Sequence, residues 1–149
     1  MNTLIQLIAA CLATMFFSLL FHQPMRAMVF SGIIAAVGYG IFLVFHKNTV
    51  AYFLAALFIG IACELLARFF KMTATLFITS SIIPLVPGLG LYRTMFSISQ
   101  GQYTLAGQIG TNAFEGICAI ALAITFSTMI FTNFKHIHSG KNNRTPAKR

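Results

Sequence analysis

The stretch "SSIIPLVPGLGLYR", Ser80–Arg93, decides how the chain is read. It is apolar enough to belong in a hydrophobic environment, yet it places Pro84, Pro87, Gly88 and Gly90 within seven residues. Proline lacks an N–H and clashes with the preceding turn. Glycine admits backbone angles that other residues resist. A single proline kinks a membrane helix. Two prolines followed by two glycines predict unwound backbone between two half-helices. Such backbone is tolerated at membrane depth only where protein or water shelters it.

The rest of the chain puts this stretch in lipid. Of 149 residues, 58% are hydrophobic and 8% charged, and the only acidic residues are Glu64 and Glu115. A globular chain is normally about one-quarter charged. A soluble domain of this length could not cover itself with so few charges. Five apolar segments, 4–21, 27–45, 50–67, 72–91 and 107–131, each approach the roughly 20 residues that span a bilayer. The first lacks a basic n-region and a small-residue cleavage site, so it reads as a span rather than a signal peptide. The expected fold class is therefore an all-α integral membrane protein with about five transmembrane helices, the fourth broken at Pro84–Gly90. The basic tail, 135–149, is expected to be cytoplasmic and disordered.

Basic residues set the expected orientation. With five spans, Arg26, Arg68, Lys71 and the tail residues Lys135, Lys141, Arg144, Lys148 and Arg149 share one side, leaving Lys47 and Arg93 on the other. The excess marks the first side as cytoplasmic, with the N-terminus outside. A four-span alternative, in which the fourth segment does not cross, separates the charge less well. Residues 22–26, 46–49 and 68–71 are bare turns, so consecutive helices are antiparallel neighbours. Residues 92–106 read as a longer polar loop.

The net charge of +8 is dispersed between apolar segments and then gathered in the tail, which does not describe a nucleic-acid surface. Cys11, Cys63 and Cys118 lie far apart in apolar runs and read as small hydrophobes. His136 and His138 lack a third ligand. No metal or cofactor is expected.

Helices in lipid associate where small residues let backbones approach. Gly32, Ala36 and Gly40 recur every four residues in the second span. Ala56 and Gly60 lead to Glu64 and Arg68 in the third. Gly107, Thr111, Glu115, Ala119, Ala123 and Ser127 follow the same interval in the fifth. Glu64 stands four residues before Arg68, the favourable order for a helical ion pair. Glu115 lies deeper, one turn after Asn112. A carboxylate inside a membrane span is costly and faces protein or water. It is either a transport-path or proton-linked group or a polar contact between helices.

The second half of the broken span would begin near Gly88 with free N–H groups, a site for a carboxylate. Arg93 adds a cation toward the outer side. Pro84, Pro87, Gly88, Gly90, Arg93, Asn112 and Glu115 thus form the expected substrate path or gate.

"IIPLVPGLGLYR" also resembles the Pro-x-x-Pro-Gly signature of the threonine/serine exporter family. "FHQPMRAMVFSGIIAAVGYG", 21–40, and "TNAFEG", 111–116, resemble further parts of that family. The likeness is best with the small subunit of its split, two-component form, similar to the small subunit of the bacterial succinate exporter. It implies export of threonine, serine or dicarboxylates across the bacterial inner membrane. It also implies a larger multi-span partner subunit. Glu115 and the tail belong to no family motif. The other classes are an assembly subunit that does not transport, an intramembrane enzyme and a channel. The enzyme reading lacks paired carboxylates and a nucleophile motif, and the channel reading lacks a charged ring.

Overall fold

The computed structural model describes residues 3–45 and 48–139, with the side chains of the last helix described as far as Phe131. The described residues form six α-helices: α1 (Thr3–Leu20), α2 (Met25–Val44), α3 (Thr49–Phe70), α4 (Ala74–Ile82), α5 (Gly88–Ser99) and α6 (Tyr103–Ser139). Four of them, α1, α2, α3 and α6 as far as Phe131, are long and apolar enough to cross a membrane. The α4–α5 pair, bent by 54°, makes a fifth when it counts as one span.

Three of the turns are closed by left-handed residues. His22 (φ 55°), Lys71 (φ 53°) and Gly101 (φ 74°) follow α1, α3 and α5. In each, the next residue donates its N–H back across the helix end: Gln23 to Ser18, Met72 to Ala67 and Gln102 to Ser97. These are Schellman turns, which satisfy the orphan carbonyls of a helix end. Only Gly101 reaches that conformation without strain. His22→Gly is therefore expected to raise stability by about 1 kcal/mol, read as a higher Tm of the detergent-solubilised protein.

The last turn revises the expected polar loop at 92–106. Helix α5 runs on to Ser99 and α6 already begins at Tyr103, so only residues 100–102 connect them. Ser97, taken from sequence as loop, is buried. The expected tail is revised as well. Helix α6 continues through Lys135 to Ser139, and residues 140–149 lie outside the described residues.

Helix α3 is central, packing against α2, α4 and α6, whereas α5 packs on α6 alone among the described elements. The core joins Ala51, Ala55, Ala56, Ile59, Cys63 and Ala67 of α3 to Phe42, Phe77, Leu85, Ile120 and Ala123. Helix α2 carries two small-residue seams because it packs against both α1 and α3. A Cβ on Gly32 would stand 3.0 Å from Met15 of α1, and one on Gly40 3.5 Å from Leu7. Ala36, between them, is half-buried. Gly38 turns the other way, where a Cβ would stand 2.5 Å from Ile59 of α3. The seam expected on α6 divides. Ala119, Ala123 and Ser127 are buried, but Gly107, Thr111 and Glu115 are exposed.

A buried polar cluster fixes α4 to the α1–α2 turn. Gln23 donates through Nε2 to the Leu76 carbonyl at 2.7 Å and to Ser80 Oγ at 3.2 Å. Ser31 Oγ donates to Gln23 Oε1, and Ser81 Oγ donates to the Ser31 carbonyl, each at 3.3 Å. In a core with almost no water, such groups are costly unless satisfied. The cluster holds the first half of the broken span immediately before its break.

Candidate functional site

The break is built from its prolines. Helix α4 ends at Ile82 and gives way to a 3-10 turn, Ile83–Leu85, with Pro84 in its first positions. Val86 is extended (φ −60°, ψ 129°). Pro87, at φ −75° and ψ 56°, makes an inverse γ-turn, with the Gly88 N–H donated to the Val86 carbonyl at 2.7 Å. The expectation of a free Gly88 N–H is thereby corrected. The free donors lie one step on: among the described residues, the N–H groups of Leu89 and Gly90 have no carbonyl partner, and Leu91 is already bonded to Pro87.

Leu89 and Gly90 open into a cleft of about 690 Å³, walled also by Asn48, Thr49, Val50, Tyr52, Pro87, Ile109, Asn112, Ala113 and Glu115. Three elements bring these residues together. The break supplies one wall, the first turn of α3 a second and the face of α6 through Asn112 and Glu115 the third. Gly90 lets α5 approach α6, where its Cβ would stand 3.2 Å from Ala113. Gly116 accommodates the Tyr52 ring, which would lie 3.1 Å from a Cβ there. Glu115 is exposed to the cleft, and its Oε2 accepts a hydrogen bond from Thr49 Oγ1 at 3.2 Å.

Of the residues expected along a substrate path, Pro87, Gly90, Asn112 and Glu115 thus share one cleft. Pro84, Gly88 and Arg93 are not among its walls. Pro84 shapes the turn from behind, and Arg93 is exposed on α5. A Cβ at Gly88 would meet nothing within 4 Å. Gly88→Ala is expected to leave both stability, within about 0.5 kcal/mol, and transport unchanged, as thermal melts and export rates would show. Thr49 and Tyr52 escaped sequence reading. They stand more than sixty residues from Glu115 and carry no local pattern that would join them to it.

The expected Glu64–Arg68 ion pair is also corrected. Among the described residues no ion pair joins them. Arg68 instead donates through Nη2 to the Phe131 carbonyl at 3.0 Å and lies over the Phe131 ring, 4.9 Å from its centroid. The guanidinium thereby ties α3 to α6. Glu64, Arg68, Lys71 and Thr128 line a second cleft of about 600 Å³. It opens about 28 Å along α3 from Thr49, counting 1.5 Å per residue. Between the clefts, Ala56, Gly60, Ala123 and Ser127 are buried against one another.

The family model described as the threonine/serine exporter, ThrE, matches residues 6–130. The chain belongs to that family. It is a multi-pass membrane transporter of the threonine/serine exporter type. No solved structure matches it. The match spans every element that builds the cleft, from the start of α3 through the break to the cleft-lining face of α6.

Proposed function

We propose that the chain is the small subunit of a two-component secondary transporter that exports small hydroxy amino acids, threonine and serine, across the bacterial inner membrane. The observation that carries this reading is the meeting of a broken helix, Asn112 and Glu115 in one cleft. Discontinuous helices with exposed half-helix ends are how secondary transporters meet small polar substrates. The substrate carboxylate would take the free N–H groups of Leu89 and Gly90, where the α5 dipole favours an anion.

The buried α3–α6 seam, with a cleft at either end, supports alternating access. In this reading the Glu115 cleft faces outside, the Arg68 cleft faces the cytoplasm, and rocking of α5–α6 against the remaining helices exchanges them. A larger multi-span partner is supported by α5, which among the described elements packs on α6 alone and leaves Leu89, Tyr92, Met95 and Phe96 exposed. A subunit that only assembles a complex is the rival. It requires the lining of the cleft to be replaceable without loss.

Co-expression with the product of the adjacent reading frame, followed by export assays with threonine, serine and succinate, tests the proposal. Export of threonine or serine that needs both chains is expected. No movement of any of the three by either chain or by both would overturn it.

A further inference from the structure

Glu115 is the part of the cleft that the family resemblance leaves without a role. The chain has two acidic side chains, and this one is placed in a cleft whose other polar side chains are Asn48, Thr49, Tyr52 and Asn112. It is exposed to the cleft. Thr49 Oγ1 donates to one of its oxygens, Oε2, and turns the group toward the start of α3. The second oxygen, Oε1, accepts no hydrogen bond among the described residues. Glu115 thus stands level with Thr49, the first residue of α3, at the end of that span, where a cation or water can meet it.

Resting on the transporter reading above, we infer that Glu115 receives the ammonium group of the substrate and makes the cleft selective for a zwitterion. A substrate with its carboxylate at Leu89 and Gly90 would present its ammonium across the cleft to Glu115, and its hydroxyl to the Asn112 amide. A dicarboxylate in the same pose would set its second carboxylate against Glu115, two like charges facing each other in one cleft. The inference therefore separates the two substrate classes that the sequence left open. Amino acids fit; succinate does not.

The test uses the full chain, co-expressed with its partner and reconstituted in liposomes. Competition against labelled L-threonine is measured for L-threonine, 3-hydroxybutyrate (which lacks the ammonium) and succinate. Wild type should bind threonine at least about tenfold more tightly than either competitor, the size of one charge-assisted hydrogen bond. Glu115→Gln should weaken threonine by about 10- to 100-fold. It should leave 3-hydroxybutyrate unchanged or tighter, a divergence that a merely structural role would not produce. Equal loss of both ligands, or undiminished threonine binding, would overturn the inference. So would a wild-type preference for succinate. Asn112→Leu separates this failure from failure of the transporter reading. If Asn112→Leu weakens threonine while Glu115→Gln does not, the cleft stands and only the role of Glu115 falls. If neither variant matters, both readings fall.

Discussion

Asn112→Leu is expected to cut threonine export by tenfold or more while leaving the fold intact. Asn112 is exposed on α6, lines the cleft and lies one turn before Glu115. Leucine matches it in size but removes both the amide donor and the carbonyl acceptor. A lost hydrogen bond to a charged or strongly polar ligand is worth about 1.5–3 kcal/mol, or roughly 10- to 150-fold in binding. Surface substitutions of this kind change stability by only about 0.5 kcal/mol. The natural control is Thr111→Leu. Thr111 is the preceding residue on α6 but stands outside the cleft, with its hydroxyl bonded to the Gly107 and Gln108 carbonyls of its own helix. Export by that variant should match wild type. Equal losses in the two variants would mean that α6, not the cleft, had been disturbed.

The second large effect concerns stability. A Cβ on Gly60 would stand 2.8 Å from both Cβ and Oγ of Ser127. The Ser127 Cβ is fixed to its backbone, so only separation of α3 from α6 relieves the clash. Gly60→Ala is expected to cost about 1–3 kcal/mol, the range for overpacking a tight core. Ser127→Gly should recover much of that loss in the double variant, a favourable coupling that independent sites would not show. Gly40→Ala is the mild end of the series, because its Cβ would make ordinary contact with Leu7. Thermal melts of the four variants would rank these contacts directly.

Particular residues show why the sequence was legible where it was. The spans could be read because apolar length alone determines what crosses a bilayer. The break was visible because Pro84, Pro87, Gly88 and Gly90 each disfavour helix for a separate physical reason. The continuation of α5 was harder. Ser97, Ser99 and Gln100 look like a loop by composition, and only Gly101, a glycine suited to end a helix, hinted at the Schellman turn beyond them. The Gly32–Ala36–Gly40 stripe identified a packing seam without naming α1 as its neighbour, and it hid Gly38, since a helix packed on both α1 and α3 needs small residues on two faces. Gln23, Ser31, Ser80 and Ser81 were visible as polar residues among apolar ones, yet nothing local joins a turn before α2 to the end of α4. The same distance concealed Thr49 from Glu115. Arg68 shows the limit of local pairing rules. Helical spacing offered it Glu64, but a carbonyl and an aromatic ring of α6 compete successfully.

The central claim is that the cleft between the helix break and α6 holds the substrate. Its most direct test is a reactive thiol at position 112. The free cysteines are Cys11, Cys63 and Cys118, the last of them exposed near Glu115. All three would be replaced in a chain carrying Asn112→Cys, co-expressed with its partner. Labelling by a small charged methanethiosulfonate, which reacts in water but not in lipid, would then be followed with and without threonine. The account predicts rapid labelling that saturating threonine slows severalfold, with alanine at equal ionic strength protecting less. A thiol unreactive from both sides of the membrane, or one labelled at the same rate whatever the threonine concentration, would contradict it.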